Sequence, residues 1–218
     1  MKLLLLGASG RTGQYIINEA IELKYEVNCL VRDPDKVRSH PLINIVPGDV
    51  SEPGQLKPLL KDCDAVLSVL NVSRKSDFPW SGLRTPADFM SSVTNGLLPL
   101  MEEVGVKRII VCSAWGVGDS RPQIPGWFRW FIDHSNIGSA YADHERQEEI
   151  LQDSGLNWTI VRPVGLTNNN KPEDVLESYH NESKPTLTIS RKSVARYMLS
   201  AINNESLIRK TVAISKAR

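Results

Sequence analysis

"LLLLGASGRTGQ", residues Leu3 to Gln14, decides the fold. Four leucines run straight into a turn with glycines at positions 7, 10 and 13. Three readings compete: a secretory leader, a plain glycine-rich turn, and a phosphate cradle. The leader fails first, since a signal peptide needs roughly 7–15 apolar residues and this run stops at Leu6. The leucines read instead as a buried strand. After Gly13, the residues Ile16, Ile17, Ala20, Ile21 and Leu23 recur at helical spacing, which predicts a helix over Thr12–Lys24. Between a strand and a helix, backbone N–H groups and the helix N-terminus can receive a pyrophosphate. Gly7 permits the tight turn, Gly10 lets the backbone approach the phosphates, and Gly13 lets helix and strand pack closely. Ser9, Arg11 and Thr12 join them as candidate cofactor contacts. A structural turn without a ligand is the alternative.

The same alternation of apolar runs and helical segments continues along the chain. Strands are expected at 2–7, 26–31, 43–49, 65–71, 108–114 and 158–163, several of them apolar on both faces. Helices are expected at Thr12–Lys24, Glu52–Leu60, Ala87–Val104, Ser139–Ser154 and Ser190–Asn203. This predicts an α/β fold of the Rossmann type: a doubly wound, mostly parallel sheet with helices on both faces, in a single domain over 1–218. Long segments at 71–88 and 115–138 follow the fourth and fifth strands, where such sheets bind ligands. A polar stretch at 164–185 reads as a surface excursion and a third substrate-side loop.

Composition narrows the partners. With 26 basic and 25 acidic residues, the chain gives no electrostatic ground for binding nucleic acid or an anionic membrane. Arg191, Lys192, Arg196, Arg209, Lys210, Lys216 and Arg218 crowd the C-terminal end and read as a solvated surface. Cys29, Cys63 and Cys112 lack metal-ligand spacing, so reduced thiols are expected and no metal site. No apolar run approaches the about 20 residues of a membrane span. A cytoplasmic protein acting on a small molecule, monomeric or a small homo-oligomer, is the expectation.

The second strand ends in "CLVRDPDK", which puts Arg32 where an acidic residue would select NAD. A guanidinium there can pair with a 2′-phosphate, so NADP(H) is favoured over NAD(H). Asp33, one residue on, is the competing reading. Asp49 and Val50, after the third strand, are expected beside the adenine, although Asp49 could equally cap the next helix. Leu70 and Asn71, after the fourth, are expected near the nicotinamide half.

"GASGRTGQ" (7–14), "YEVNCLVRD" (25–33), "VPGDV" (46–50), "DAVLSVL" (64–70), "GVKRIIVCSA" (105–114), "SGLNWTIVRP" (154–163) and "TISRKSVARYML" (188–199) together resemble one known group. It is the atypical short-chain dehydrogenase/reductases of the NAD(P)H-binding, NmrA-like type, nearest to biliverdin-IXβ reductase/flavin reductase proteins. The resemblance implies a functional serine at the end of strand five, Ser113, contacting the cofactor and polarising a substrate oxygen; a serine merely closing a strand is the alternative. The wider superfamily carries Tyr-x-x-x-Lys, but here Tyr141 is followed by Glu145. A carboxylate raises a phenol's pKa, so Tyr141 is a weak candidate acid. His144 matches a histidine of the flavin reductase group and could contact the cofactor or donate a proton. Trp115, Trp127 and Phe128 could stack on a planar substrate, or serve as core or interface, and Pro163 could shape the pocket rim.

The expected function is an NADPH-dependent oxidoreductase transferring a hydride to a planar acceptor such as a flavin, quinone or tetrapyrrole. Hydride reaches a flavin directly and water can supply the proton, so a missing Tyr–Lys pair suits that chemistry. The alternative is a non-catalytic NADP(H)-binding, redox-sensing regulator. A nucleotide-sugar epimerase or dehydratase ranks third, because the chain is short for an added sugar domain.

Overall fold

In strand β1 (Lys2–Leu6), Leu3 and Leu5 join one apolar cluster and Leu4 and Leu6 another. Side chains alternate across a strand, and all four leucines are at most 1% exposed. Both faces of the sheet must therefore be covered. Helices α1 (Arg11–Glu22) and α6 (Arg191–Ser200) cover the Leu3/Leu5 face through Ile16, Ile17, Ala20, Val194 and Met198. Helices α2 (Pro53–Leu60), α3 (Phe89–Val104) and α5 (Ile137–Gln152) cover the other through Leu56, Leu60, Leu97, Met101 and Leu151. Burying each such side chain is worth about 1.5–3 kcal/mol.

The computed structural model describes residues 1–171, 173–179 and 182–217. Besides β1, the chain forms β2 (Glu26–Val31), β3 (Ile43–Pro47), β4 (Ala65–Ser68), β5 (Arg108–Cys112), β6 (Asn157–Pro163), β7 (Gly165–Thr167), β8 (Val175–Ser178), β9 (Thr188–Ser190) and β10 (Lys210–Lys216). A fourth helix in chain order, α4 (Gly126–Asp133), follows a short 3₁₀ segment after β5. The main sheet runs β3-β2-β1-β4-β5-β6-β10-β8, parallel throughout except for antiparallel β8 at the edge. It is the expected Rossmann-like, doubly wound sheet. After β3 the chain crosses back to pair β4 with β1 in register Leu5↔Leu67. The order reverses there, so the loops after β1 and β4 diverge and open a crevice above the strand ends.

All six predicted strands and five predicted helices form, with shifted ends. The C-terminal strand β10 escaped prediction because its short apolar centre is flanked by lysines, yet Val212 and Ile214 are fully buried between β6 and β8. The stretch 164–185 is more than a surface excursion, since it supplies β7 and β8; its residues 172, 180 and 181 lie outside the described ones. Nor is the basic C-terminal run simply solvated. Lys192 and Arg196 both pair with Glu19 of α1 and tie the two helices together; Arg218 lies outside the described residues. Cys29 and Cys63 are buried and Cys112 half-buried, none of them bonded to another cysteine. No helix among the described residues is long and apolar enough to cross a membrane.

Candidate active site

Gly7 has φ +89°, and a Cβ there would stand 2.9 Å from the carbonyl oxygen of Val69, which follows β4. Gly13 is tighter still: a Cβ would lie 2.2 Å from the Gly7 oxygen. The first and third glycines thus serve turn conformation and close packing, as the spacing predicts. Gly10 donates its N–H to the Gly7 oxygen and forms the N-cap of α1 without a side-chain cap. The first N–H groups of the helix are consequently left for a ligand.

A cleft of about 430 Å³ opens here at the strand ends. It is lined by Gly7, Ser9, Gly10, Arg11, Thr12, Arg32, Asp49, Val50, Leu70, Asn71, Ser113 and His144. The structure therefore gathers every predicted cofactor residue except Gly13, which is buried behind the turn. Arg32 is exposed and belongs to no ion pair among the described residues. Asp33 is held by Lys36 at 2.8 Å, which keeps its carboxyl below the ordinary range, and it does not line the cleft. Asp49 accepts from the Ser51 N–H at 2.9 Å, a turn contact, while Glu52 occupies the N-cap of α2.

At the other end of the cleft, Ser113 is 5% exposed and its hydroxyl lies 2.5 Å from Glu148 Oε1 of α5. The same Glu148 receives a bidentate pair from Arg162 of β6, at 3.0 Å from Nε and 2.5 Å from Nη2. A carboxylate so engaged only accepts, so Ser113 is the donor. This corrects the expected role of Ser113: its proton is committed inward, and its lone pairs are what it offers the cleft. Burial works against the Arg162 charge, but Glu148 and then Asp119 outweigh it and raise its pKa. The only sequence signal for this pair was a charge inside the apolar run "TIVRP".

His144 lines the cleft one turn before Glu148, and its Nδ1 is buried without a hydrogen-bond partner among the described residues. Burial pushes its pKa down to about 4, with Gln147 and Asp143 opposing only in part. The ring is neutral near pH 7, so the expected proton donation by an imidazolium does not fit. Tyr141 faces away from the cleft, donating to the Trp115 carbonyl at 3.3 Å, and burial pushes its phenol up to about 12. It lines a separate cavity of about 210 Å³ with Gly116, Arg121 and Glu145.

The four predicted substrate contacts do not border the main cleft. Trp115 is 5% exposed in the core, with its indole N–H donating to Gln123. Phe128 turns inward on α4 and meets Tyr141 edge-on, whereas Trp127 on the same helix is 68% exposed. Pro163 is buried in β6 opposite Ile214, and its carbonyl accepts from the Trp115 N–H. The aromatic segment folded as an amphipathic helix, and its period set which rings face in and which face out.

Sequence reasoning also missed Arg191, Ser73 and Arg74, all of which line the cleft. Arg191 opens α6 behind its Ser190 cap and donates to Asn168 Oδ1 at 2.6 Å. It stands close enough to Arg11 for that charge to help lower its pKa, after burial. The glycine cradle, the free helix N-terminus and two arginines fit the diphosphate of a dinucleotide.

A sequence model of the NAD(P)H-binding family matches residues 7–205. The chain belongs to that family. Members of this NAD(P)H-binding group vary in what they do. Sanguinarine reductase of Eschscholzia californica is 26% identical over 201 residues, covering 77% of this chain and 70% of that protein. The photosystem II assembly factor Ycf39 of Synechocystis sp. is 23% identical over 227 residues; the match takes in all of this chain but only 63% of Ycf39. Among solved structures, ChuY, an anaerobillin reductase from Escherichia coli O157:H7, superposes with a TM-score of 0.79 at 19% identity, covering 99% of this chain and 97% of its own. At that identity the likeness concerns the fold.

Proposed function

We propose that the protein is an NADPH-dependent reductase that passes a hydride to a planar acceptor such as a flavin, quinone or tetrapyrrole. One observation carries the reading: a single cleft joins the glycine cradle to Ser113 and His144. Gly7, Gly10, Arg11 and Arg191 would hold the diphosphate, and Arg32 the 2′-phosphate that distinguishes NADPH. Asp49 keeps one carboxylate oxygen for the adenine amine while the other anchors the Ser51 turn. When bound, the nicotinamide supplies the hydride.

The chain's residues then orient and shelter the reacting groups. Ser113, fixed by Glu148, presents an acceptor to an N–H such as that of a carboxamide. Neutral His144 contributes shape and one hydrogen bond, leaving water to deliver the proton. The names of sanguinarine reductase and ChuY support this reading.

A second reading has its own support. None of Ser113, His144 and Tyr141 is set up as an acid, and Ycf39 is named an assembly factor. A non-catalytic NADP(H)-sensing protein fits both facts. Absorbance at 340 nm, followed with NADPH and FMN, riboflavin, quinones or biliverdin, separates the two. Turnover is expected, and tight NADPH binding without turnover on any acceptor would favour the sensor. Arg32→Glu should weaken NADPH about tenfold or more and NADH little; equal losses would remove the case for NADPH.

A further inference from the structure

We infer that Ser73 and Arg74 form an anion-binding subsite for a phosphate or carboxylate arm of the acceptor. The inference deepens the reductase reading and rests on it. Three residues that line the cleft, the half-buried Ser73 and Arg74 and the buried His144, each hold a buried polar atom without a hydrogen-bond partner among the described residues: Ser73 Oγ, Arg74 Nε and His144 Nδ1. An unpaired buried hydroxyl or guanidinium N–H is costly, and two of them fall on adjacent residues. Arg74 also belongs to no ion pair among the described residues.

The segment that carries them is built, not loose. Arg74 pairs antiparallel with Leu83. Lys75 N–H donates to the Gly82 carbonyl at 3.0 Å, Arg84 N–H to the Ser73 carbonyl at 2.8 Å, and Ser73 N–H to Thr85 Oγ1 at 2.9 Å. At the tip, Asn136 Nδ2 donates to the carbonyls of Trp80 and Ser81, and the Trp80 indole donates to the His134 carbonyl. This hairpin fixes the backbone that carries Arg74, which limits the ordering cost of using it.

Its location selects the ligand. Val72 and Leu83 of the hairpin pack on Met90 of α3 and Ala140 of α5. Those helices also carry Phe89 and His144, which line the same cleft as Ser73 and Arg74. Arg11 donates to the exposed Asp77 of the same hairpin at 3.2 Å, and Arg191, the α1 N-terminus and Arg32 are the other candidates for the cofactor's phosphates. A planar guanidinium that no carboxylate among the described residues engages fits a bidentate oxyanion on the acceptor.

FMN and riboflavin differ only by the phosphate and make the probe pair. Flavin fluorescence quenching should show the NADP⁺-saturated protein binding FMN at least about tenfold tighter than riboflavin. Arg74→Gln should abolish that preference and leave riboflavin and NADP⁺ affinities within about twofold, while Arg74→Lys keeps part of it. Ser73→Ala should cost about threefold on FMN alone. Equal FMN and riboflavin affinities in the unaltered protein would overturn the subsite. So would an Arg74→Gln loss that falls on NADP⁺, which would make Arg74 a cofactor residue. NADPH oxidation, followed in parallel, tests the parent reading: a preference for FMN without turnover on any acceptor sinks the reductase and keeps the subsite. Turnover of both flavins without preference does the reverse.

Discussion

The two ends of the cleft are made differently. The glycine end is backbone: Gly7, Gly10 and Gly13 clear space, and the α1 N-terminus offers N–H groups that no side chain caps. The rest of the cleft is side chains, some locked to one another (Ser113, Glu148 and Arg162) and some unpaired (His144, Ser73 and Arg74). A backbone site is specified within a few consecutive residues and binds a ligand part common to the family. A side-chain site is assembled from α5, β6 and the hairpin after β4, which meets the cradle through the exposed Arg11–Asp77 pair.

The largest test of this division strikes Glu148. Glu148→Ala would leave Arg162, 5% exposed, with only the exposed Asp119 as partner. Removing one member of a buried ion pair costs about 3–5 kcal/mol, read as a lower urea midpoint. If the ends are separable, the folded variant keeps its NADPH affinity within about twofold while Ser113 loses its orientation. Adding Arg162→Met should restore much of the stability, because an apolar pair needs no desolvation. A variant as stable as the parent would mean that the pair is not held as described.

His144 sharpens the comparison through pH. Its folded pKa of about 4 lies below the ordinary 6.5. Between these values the unfolded chain binds the proton and the folded chain does not, so stability falls as pH falls through that window. The full span is worth about 3 kcal/mol. His144→Gln should flatten that part of the stability profile between pH 6.5 and 4, and an unchanged slope would show that the ring is already solvated.

The contrast also explains what could be read in advance. The leucine run and the glycine spacing act through neighbours in sequence, so the sheet and the turn after β1 were legible. Trp127, Phe128 and Pro163 were misplaced because their surroundings are fixed by tertiary packing. The turn of α4 points Phe128 inward and Trp127 outward, and β10, itself unpredicted, covers Pro163. Ser113 was found, but the partner that reverses its hydrogen-bond role lies 35 residues away.

The smallest expected effect concerns that exposed helix face. Trp127 is 68% exposed, touches Phe128 at a ring separation of 5.5 Å, and does not line the cleft. Trp127→Ser should change stability by no more than about 0.5 kcal/mol. It should also leave kcat/KM for a flavin acceptor within about twofold, since neither end of the cleft includes it. A loss of tenfold or more would mean that α4 swings over the hydride end when ligands are bound, joining the aromatic face to the acceptor site. No change would leave acceptor recognition to residues that line the cleft, Arg74, Phe89 and His144 among them.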